Sequence, residues 1–232
     1  MKNKFIQLRY LIPILALLIA IKLPARADRP STSHIFYQQD FKHLLLAFFQ
    51  DPVNGLYSIF ANPPAKGFMQ SVIMMVSVFV LYFAGSYLAV GDAREYMKFS
   101  SFLTIGITPV FIMLFITLFS FVIKAAAGRA DLKGELLTGA LGGLPLGLVI
   151  VMLLILSLFG EGMNPFTLFS SPLGGGWLMT LAVLYFFLMM VNTFQQSLRA
   201  SGLKDALAWY LSPLSIIISA YLGVSLVQNL VY

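Results

Sequence analysis

Residues Phe102–Ile123 read FLTIGITPVFIMLFITLFSFVI, a continuous apolar run without one charged side chain. An α-helix rises about 1.5 Å per residue, so roughly 20 such residues cross the ~30 Å hydrocarbon layer of a bilayer. Four further runs are close to that length: Met69–Val90, Leu136–Phe159, Trp177–Phe194 and Leu207–Leu230. All 15 Lys and Arg and all 9 Asp and Glu fall outside these runs. Strands of a membrane barrel would be about ten residues long with alternating polarity, a pattern absent here. The expected fold is all-α: a polytopic transmembrane helical bundle with five core spans, an N-terminal apolar segment and amphipathic interfacial helices.

Composition points the same way. The 232 residues are 59% hydrophobic and 10% charged, against roughly 45–50% and about 25% for a soluble domain. One water-soluble core cannot bury that much apolar surface, so the bilayer is the expected solvent. Without cysteine, disulfide frameworks, thiolate nucleophiles and cysteine-based metal sites are excluded. The formal charge of +6 fits the Lys/Arg excess of cytoplasmic loops rather than a nucleic-acid footprint.

Short cytoplasmic loops collect Lys and Arg. Lys124, Arg129 and Lys133 follow the second run, and Arg199 and Lys204 follow the fourth. Only Glu161 follows the third, and the tail after the fifth is uncharged. These basic residues set the expected topology, with the segment before Met69 cytoplasmic and the C-terminus outside. Arg29, Lys42 and Lys66 then also lie inside, against Arg94 and Lys98 outside.

The stretch LPARAD, Leu23–Asp28, pulls the other way. Lys2, Lys4 and Arg9 precede the apolar run Tyr10–Ile21, and Ala25-Arg26-Ala27 follows it. That is the order of a secretory signal and its cleavage site. Cleavage would deliver Asp28 onward to the outside and invert every later loop, and the charges of Lys22 and Arg26 resist translocation. Residues 1–30 are therefore expected to stay attached as a signal-like or anchor segment, interfacial, re-entrant or an extra span. Residues 33–66 form an amphipathic segment: Phe41, Leu44, Leu45, Phe48 and Phe49 recur at helical spacing, and Val53, Leu56, Tyr57 and Phe60 repeat it after Asp51-Pro52. Short helices in the membrane interface, or packed under the bundle, both fit. Residues 67–232 then make the five-helix domain, with Gly160–Gly176 an irregular exterior connection rich in Gly, Pro and Ser.

Gly139, Gly143 and Gly147 recur every fourth residue of the third run, with Gly142 beside them. This spacing lets another helix backbone approach closely, within the chain or between two copies. Pro109, Pro145 and Pro213 each sit inside a run and are candidate kinks. Chemistry is harder to assemble. No ionisable residue lies within the runs, which argues against an ion-coupled pathway, and Asn192, Gln195 and Gln196 are expected to reach the cytoplasmic interface. His34 and His43 lack metal-ligand spacing, and no nucleophile elbow or phosphate-binding loop occurs. Asp92 and Glu95 read as loop charges beside Arg94 and Lys98. No catalytic, cofactor-binding or metal-ligating residue is expected, and no cofactor.

Three stretches carry a resemblance. Ala126-Ala127-Gly128-Arg129-Ala130-Asp131-Leu132-Lys133-Gly134-Glu135-Leu136-Leu137, leading into a helix with Pro145, resembles the Gly-basic loop before the third helix of the Yip family, the Ypt/Rab-interacting membrane proteins. Gln195-Gln196-Ser197-Leu198-Arg199-Ala200-Ser201-Gly202-Leu203-Lys204-Asp205-Ala206-Leu207, before a helix with Pro213, is similar to that family's last loop. Phe49-Gln50-Asp51-Pro52-Val53-Asn54-Gly55-Leu56 resembles its segment before the first helix. The resemblance implies five spans with a cytoplasmic N-terminus and an external C-terminus. Eukaryotic members act with Rab GTPases in vesicle trafficking, but this chain lacks their soluble N-terminal domain with its Asp-Leu-Tyr-Gly-Pro motif, the part on which Rab binding would rest. The chain looks more like the short bacterial members. The expectation is a non-enzymatic accessory or scaffold subunit of the bacterial plasma membrane, whose partners are membrane lipids and other membrane proteins or a second copy, beside an ABC-type exporter or in trafficking or envelope stress. The alternative is a transporter or channel subunit for a neutral or lipid-like substrate.

Overall fold

The computed structural model describes residues 46, 48–64, 67–90, 95–159 and 175–231. The chain separates into a unit 1–50 and a unit 51–232, and the architecture described here is that of the second. The signal-like segment with LPARAD, the helical pattern from Phe41 to Leu45, His34, His43, Asp92, Arg94, Glu161 and residues 160–174 of the connection lie outside the described residues.

A short helix α1 (Asn54–Ala61) precedes five long ones: α2 (Gly67–Ala89), α3 (Phe99–Ala126), α4 (Leu132–Phe159), α5 (Gly175–Ala200) and α6 (Asp205–Val231). All 5 long helices have the length and hydropathy to cross a membrane. The protein is a multi-pass helical membrane protein. Helices α3, α4, α5 and α6 form a ring in which each touches the next and α6 returns to α3, while α2 lies along the α3–α4 edge. Short turns join α3 to α4 and α5 to α6, so both turns lie at one end of the ring.

Lipid tails are as apolar as leucine, so helices associate in a bilayer through close packing and polar bonds rather than through the hydrophobic effect. Inside the ring, Ile112 and Ile116 of α3 meet Met190, Val191, Phe194 and Leu198 of α5 and Ala208 and Ile216 of α6. The α4 glycines supply the closest approach. A Cβ at Gly139 would strike the Thr117 hydroxyl and the Met113 carbonyl oxygen, and one at Gly143 the Met113 side chain. Gly142 faces Ile116 of α3, and Gly147 faces Val78 of α2. The stripe is thus covered from within this chain. Gly223 of α6 does the same on the other side of α3, where a Cβ would lie 3.0 Å from the Ile112 nitrogen.

Pro109, Pro145 and Pro213 lie inside α3, α4 and α6. Each removes one backbone donor, and hydroxyls bond the backbone beside them. Thr108 donates to the Thr104 carbonyl at 2.7 Å, Ser212 to that of Ala208 at 2.6 Å, and Tyr82 of α2 to that of Leu146 at 2.8 Å. Helix α1 packs on α5. Its buried residues are Leu56 and Ile59, whereas Val53 and Tyr57 are exposed, so the expected apolar face is rotated. Docking on α5 chooses the face of so short a helix, and Asn192 fixes the docking by donating to the Pro52 carbonyl at 2.7 Å.

The long helices run past the apolar runs at the turn-bearing end. Helix α3 continues to Ala126 instead of Ile123, α4 starts at Leu132 instead of Leu136, and α5 ends at Ala200 instead of Phe194. The added residues include Lys124, Glu135 and Gln196, which find partners inside the bundle and so need not leave it, and Arg199, which pairs with the exposed Asp205.

Gly139→Ala should force α3 and α4 apart at backbone contact and cost roughly 1–3 kcal/mol, the usual range for overpacking. Gly147→Ala, whose Cβ would lie 3.5 Å from Val78 in ordinary contact, should melt close to the parent. Thermal unfolding of the two variants in detergent compares them, and equal melting temperatures would contradict the close approach at Gly139.

Candidate functional site

Two local features build the site, and both are helix ends. At the end of α3 the Gly128 N–H bonds the Ala125 carbonyl at 2.9 Å, and the Arg129 N–H bonds that of Lys124 at 2.9 Å. At the end of α5 the Gly202 N–H bonds the Arg199 carbonyl at 2.8 Å, and the Leu203 N–H bonds that of Leu198 at 3.3 Å. This paired pattern is the Schellman motif, which places its closing residue in the left-handed region that glycine reaches without strain. Gly128 has φ +69° and Gly202 φ +80°. Asp131 then opens α4, accepting the Gly134 N–H on Oδ2 at 3.2 Å. The two turns thus have one geometry, and they touch. Arg129 Nη1 donates to the Ser201 carbonyl oxygen, and a Cβ at Gly202 would occupy the place of that guanidinium.

Just inside the turns lies a buried polar cluster. Lys124 Nζ is 2.8 Å from Glu135 Oε2, with the two side chains 7% and 4% exposed. The same ammonium donates to Ser197 Oγ of α5 at 2.7 Å. Glu135 Oε2 also accepts from the Ser120 hydroxyl and, at 3.4 Å, from that of Thr138. Thr138 and Ser197 share a hydrogen bond of 2.6 Å. Three helices are joined by side-chain bonds that a low-dielectric surrounding strengthens and that would be costly to leave unmade. Glu135 also sits in the first turn of α4, where the positive end of the helix dipole favours a carboxylate.

A second polar string runs along α5. Gln196, 2% exposed, donates to Asn192 Oδ1 at 3.1 Å and accepts from Arg199 at 3.4 Å. Arg199 Nε donates to Asp205 of α6 at 2.8 Å. The string links α1, α5 and α6.

A lysine ammonium beside a serine hydroxyl raises the question of a Ser-Lys nucleophile. That chemistry needs an amine lone pair aimed at the hydroxyl and a serine open to substrate. Here Lys124 donates to both Glu135 and Ser197, and Ser197 is fully buried. The arrangement clamps helices. A shallow crevice of about 220 Å³ lies beside Pro109, lined by Tyr82, Ile105, Thr108, Ile112 and Leu146. Its two hydroxyls are bound to backbone carbonyls, so its wall is apolar. Among the described residues no group of three or more His, Cys, Asp or Glu is placed to hold a metal ion.

The topology residues therefore divide by environment. Lys124 is buried and paired, Arg199 is paired with Asp205, Arg129 is bound to the facing turn, and Lys204 is exposed. Lys133 lies in the first turn of α4, its side chain outside the described residues. The chain matches no family model, no curated protein and no solved structure. The glycines and prolines singled out from the sequence lie in the helix packing, away from this cluster. Sequence reading passed over Ser120, Glu135, Thr138 and Ser197. The available signal was spacing: Ser120 and Lys124 are four apart, Glu135 and Thr138 three, and each pair lies on one helix face next to the same short turn.

Removing one partner of a buried ion pair typically costs about 3–5 kcal/mol, whereas apolar replacement of both is often neutral or stabilising. Glu135→Leu should lower the melting temperature more than Lys124→Met, because the carboxylate left by the latter keeps two hydroxyl donors. The double variant should melt above Glu135→Leu, and simple additivity in this cycle would refute the clamp. At the turns, Gly128→Ala meets open space and costs only its left-handed backbone, about 1–2 kcal/mol. Gly202→Ala must also displace Arg129, so it should melt lower than Gly128→Ala in the same assay.

Proposed function

We propose that this protein is a non-enzymatic accessory or scaffold subunit of Yip type in the bacterial plasma membrane, working through protein or lipid partners at its turn-bearing end. The observation that carries this reading is the junction of the two turns. The stretches around Gly128-Arg129 and Gly202-Leu203-Lys204, which carry the resemblance to the Yip family, are far apart in sequence and form one bonded surface through Arg129, Ser201 and Gly202. Below this surface Lys124, Glu135 and Ser197 already clamp three helices, which leaves exposed groups of the turns, such as Lys204, for contacts outside the chain. In this reading the turns face the cytoplasm and the C-terminus lies outside, as the positive-inside bias requires. The alternative of a transporter subunit for a neutral or lipid-like substrate draws on the apolar crevice beside Pro109.

The absence of native cysteine makes the test direct. A photo-crosslinker on a cysteine at Ala130 or Ala206 should give more adducts with membrane proteins or lipids in intact cells than one at Tyr96, at the other end of α3. A membrane-impermeant maleimide should label Gln228→Cys from outside and leave Ala130→Cys unlabelled. Adducts confined to Tyr96, or the reverse labelling, would overturn the reading.

A further inference from the structure

We propose that the joined turns bind the headgroup of an anionic phospholipid, with Arg129 and Lys204 as its phosphate contacts. The inference rests on the reading of this surface as the partner-facing one and names the partner. Among the described residues Lys124 and Arg199 make ion pairs, and Arg129 and Lys204 make none. The carboxylates at this end have other partners. Glu135 is buried against Lys124, Asp205 holds Arg199, and Asp131 Oδ2 caps α4. Asp131 and Asp205 are themselves exposed, so Arg129, Arg199 and Lys204 leave this surface with a small positive excess over them. Arg129 is also preorganised, since one guanidinium nitrogen is anchored on the Ser201 carbonyl. A guanidinium presents five donors in a planar fork that matches a phosphate. Gly202 makes room for it.

Depth selects a lipid over a soluble anion. Trp209 and Tyr210 of α6 are 61% and 73% exposed, and exposed Trp and Tyr mark the membrane–water boundary. Lys204 precedes α6, about 8 Å from Trp209 along the helix direction at ~1.5 Å per residue. A headgroup layer is about 5–8 Å thick on each side of the hydrocarbon. With the aromatic pair at the hydrocarbon edge, Lys204 and the Arg129 guanidinium against Gly202 fall at phosphate level. A phosphodiester there meets two cations, with the aromatic pair lying deeper, at the hydrocarbon edge. A zwitterionic lipid would bring its own cation into the same surface, so an anionic headgroup is preferred.

The test is native mass spectrometry of the full chain released from detergent with phosphatidylglycerol or phosphatidylcholine. The expected result is preferential retention of phosphatidylglycerol. Each basic residue near a charged surface contributes about a five-fold factor, so Arg129→Gln with Lys204→Gln should weaken retention roughly thirty-fold. Lys204→Gln alone should weaken it about five-fold without changing the melting temperature, which separates lost binding from lost folding. Lys98→Gln, at the other end of α3, should retain lipid like the parent. Equal retention of both lipids, unchanged retention in the double variant, or full competition by glycerol 3-phosphate would overturn the proposal. Protein adducts at Ala130 together with no lipid preference would overturn this inference and leave the partner-facing reading intact.

Discussion

The bond from Lys124 to Glu135, extended to Ser197, is the constraint around which the rest of this bundle is arranged. In water a charged pair at a helix end competes with solvent and contributes little. Buried between α3, α4 and α5, the same pair has no such alternative, and its register is fixed by the cost of leaving either charge alone. Because Lys124 sits just before one turn and Glu135 just after it, the pair sets α3 and α4 against each other. Ser197 then brings in α5 at the same level. The glycine contacts follow from that register. Gly139 faces Thr117 and Met113 one turn deeper, and Gly143 faces Met113 a turn further along.

The ion pair also explains why the two turns meet. Once α5 is held by Ser197 against Lys124 and Thr138, its C-terminal turn lies beside that of α3, within reach of Arg129. Both turns close through a left-handed glycine, but the glycines differ in what they allow. Gly128 meets nothing, so only its backbone conformation matters. Gly202 is needed twice, for its conformation and for the space that Arg129 fills. Helix α5 has a second polar edge, Asn192, Gln196 and Arg199, which fastens α1 and α6. The lower hydropathy of its span, 1.3 against 1.7–2.4 for the others, reflects this work as the connector of the bundle.

The helices were legible in the sequence because bilayer thickness sets a length that few other constraints imitate. Their ends were not. An apolar run is cut at its first charge, yet a helix continues wherever that charge finds a partner, and Ile123-Lys124 and Glu135-Leu136 are such places. The close-packing role of Gly139 and Gly143 was legible from spacing, whereas their neighbours on α3 depend on the three-dimensional register. Ser120 and Thr138 carry only a weak spacing signal and Ser197 none, for a different reason. A lone Ser or Thr in a membrane helix most simply bonds its own backbone, as Thr193 does here to Met189, and only the position of Lys124 turns these three into a network. The buried face of α1 was misread because eight residues give a weak periodicity, and the surface of α5 decides which side is covered.

The structure also changes what the basic residues mean. Counted from the sequence, Lys124, Arg129, Lys133, Arg199 and Lys204 are equivalent contributors to a cytoplasmic bias. In the fold, Lys124 and Arg199 are neutralised by Glu135 and Asp205. The positive-inside rule counts Lys and Arg with little weight on acidic neighbours, so the direction of the bias does not change. What changes is the division of labour between paired and unpaired charges. The paired ones hold helices together and would do so in either orientation. Arg129 and Lys204 are placed where a charge can act on its surroundings, beyond the aromatic pair Trp209 and Tyr210. Lys124 and Arg199 thus serve the fold through their carboxylate partners, Arg129 serves it by joining the two turns, and Lys204 stays exposed.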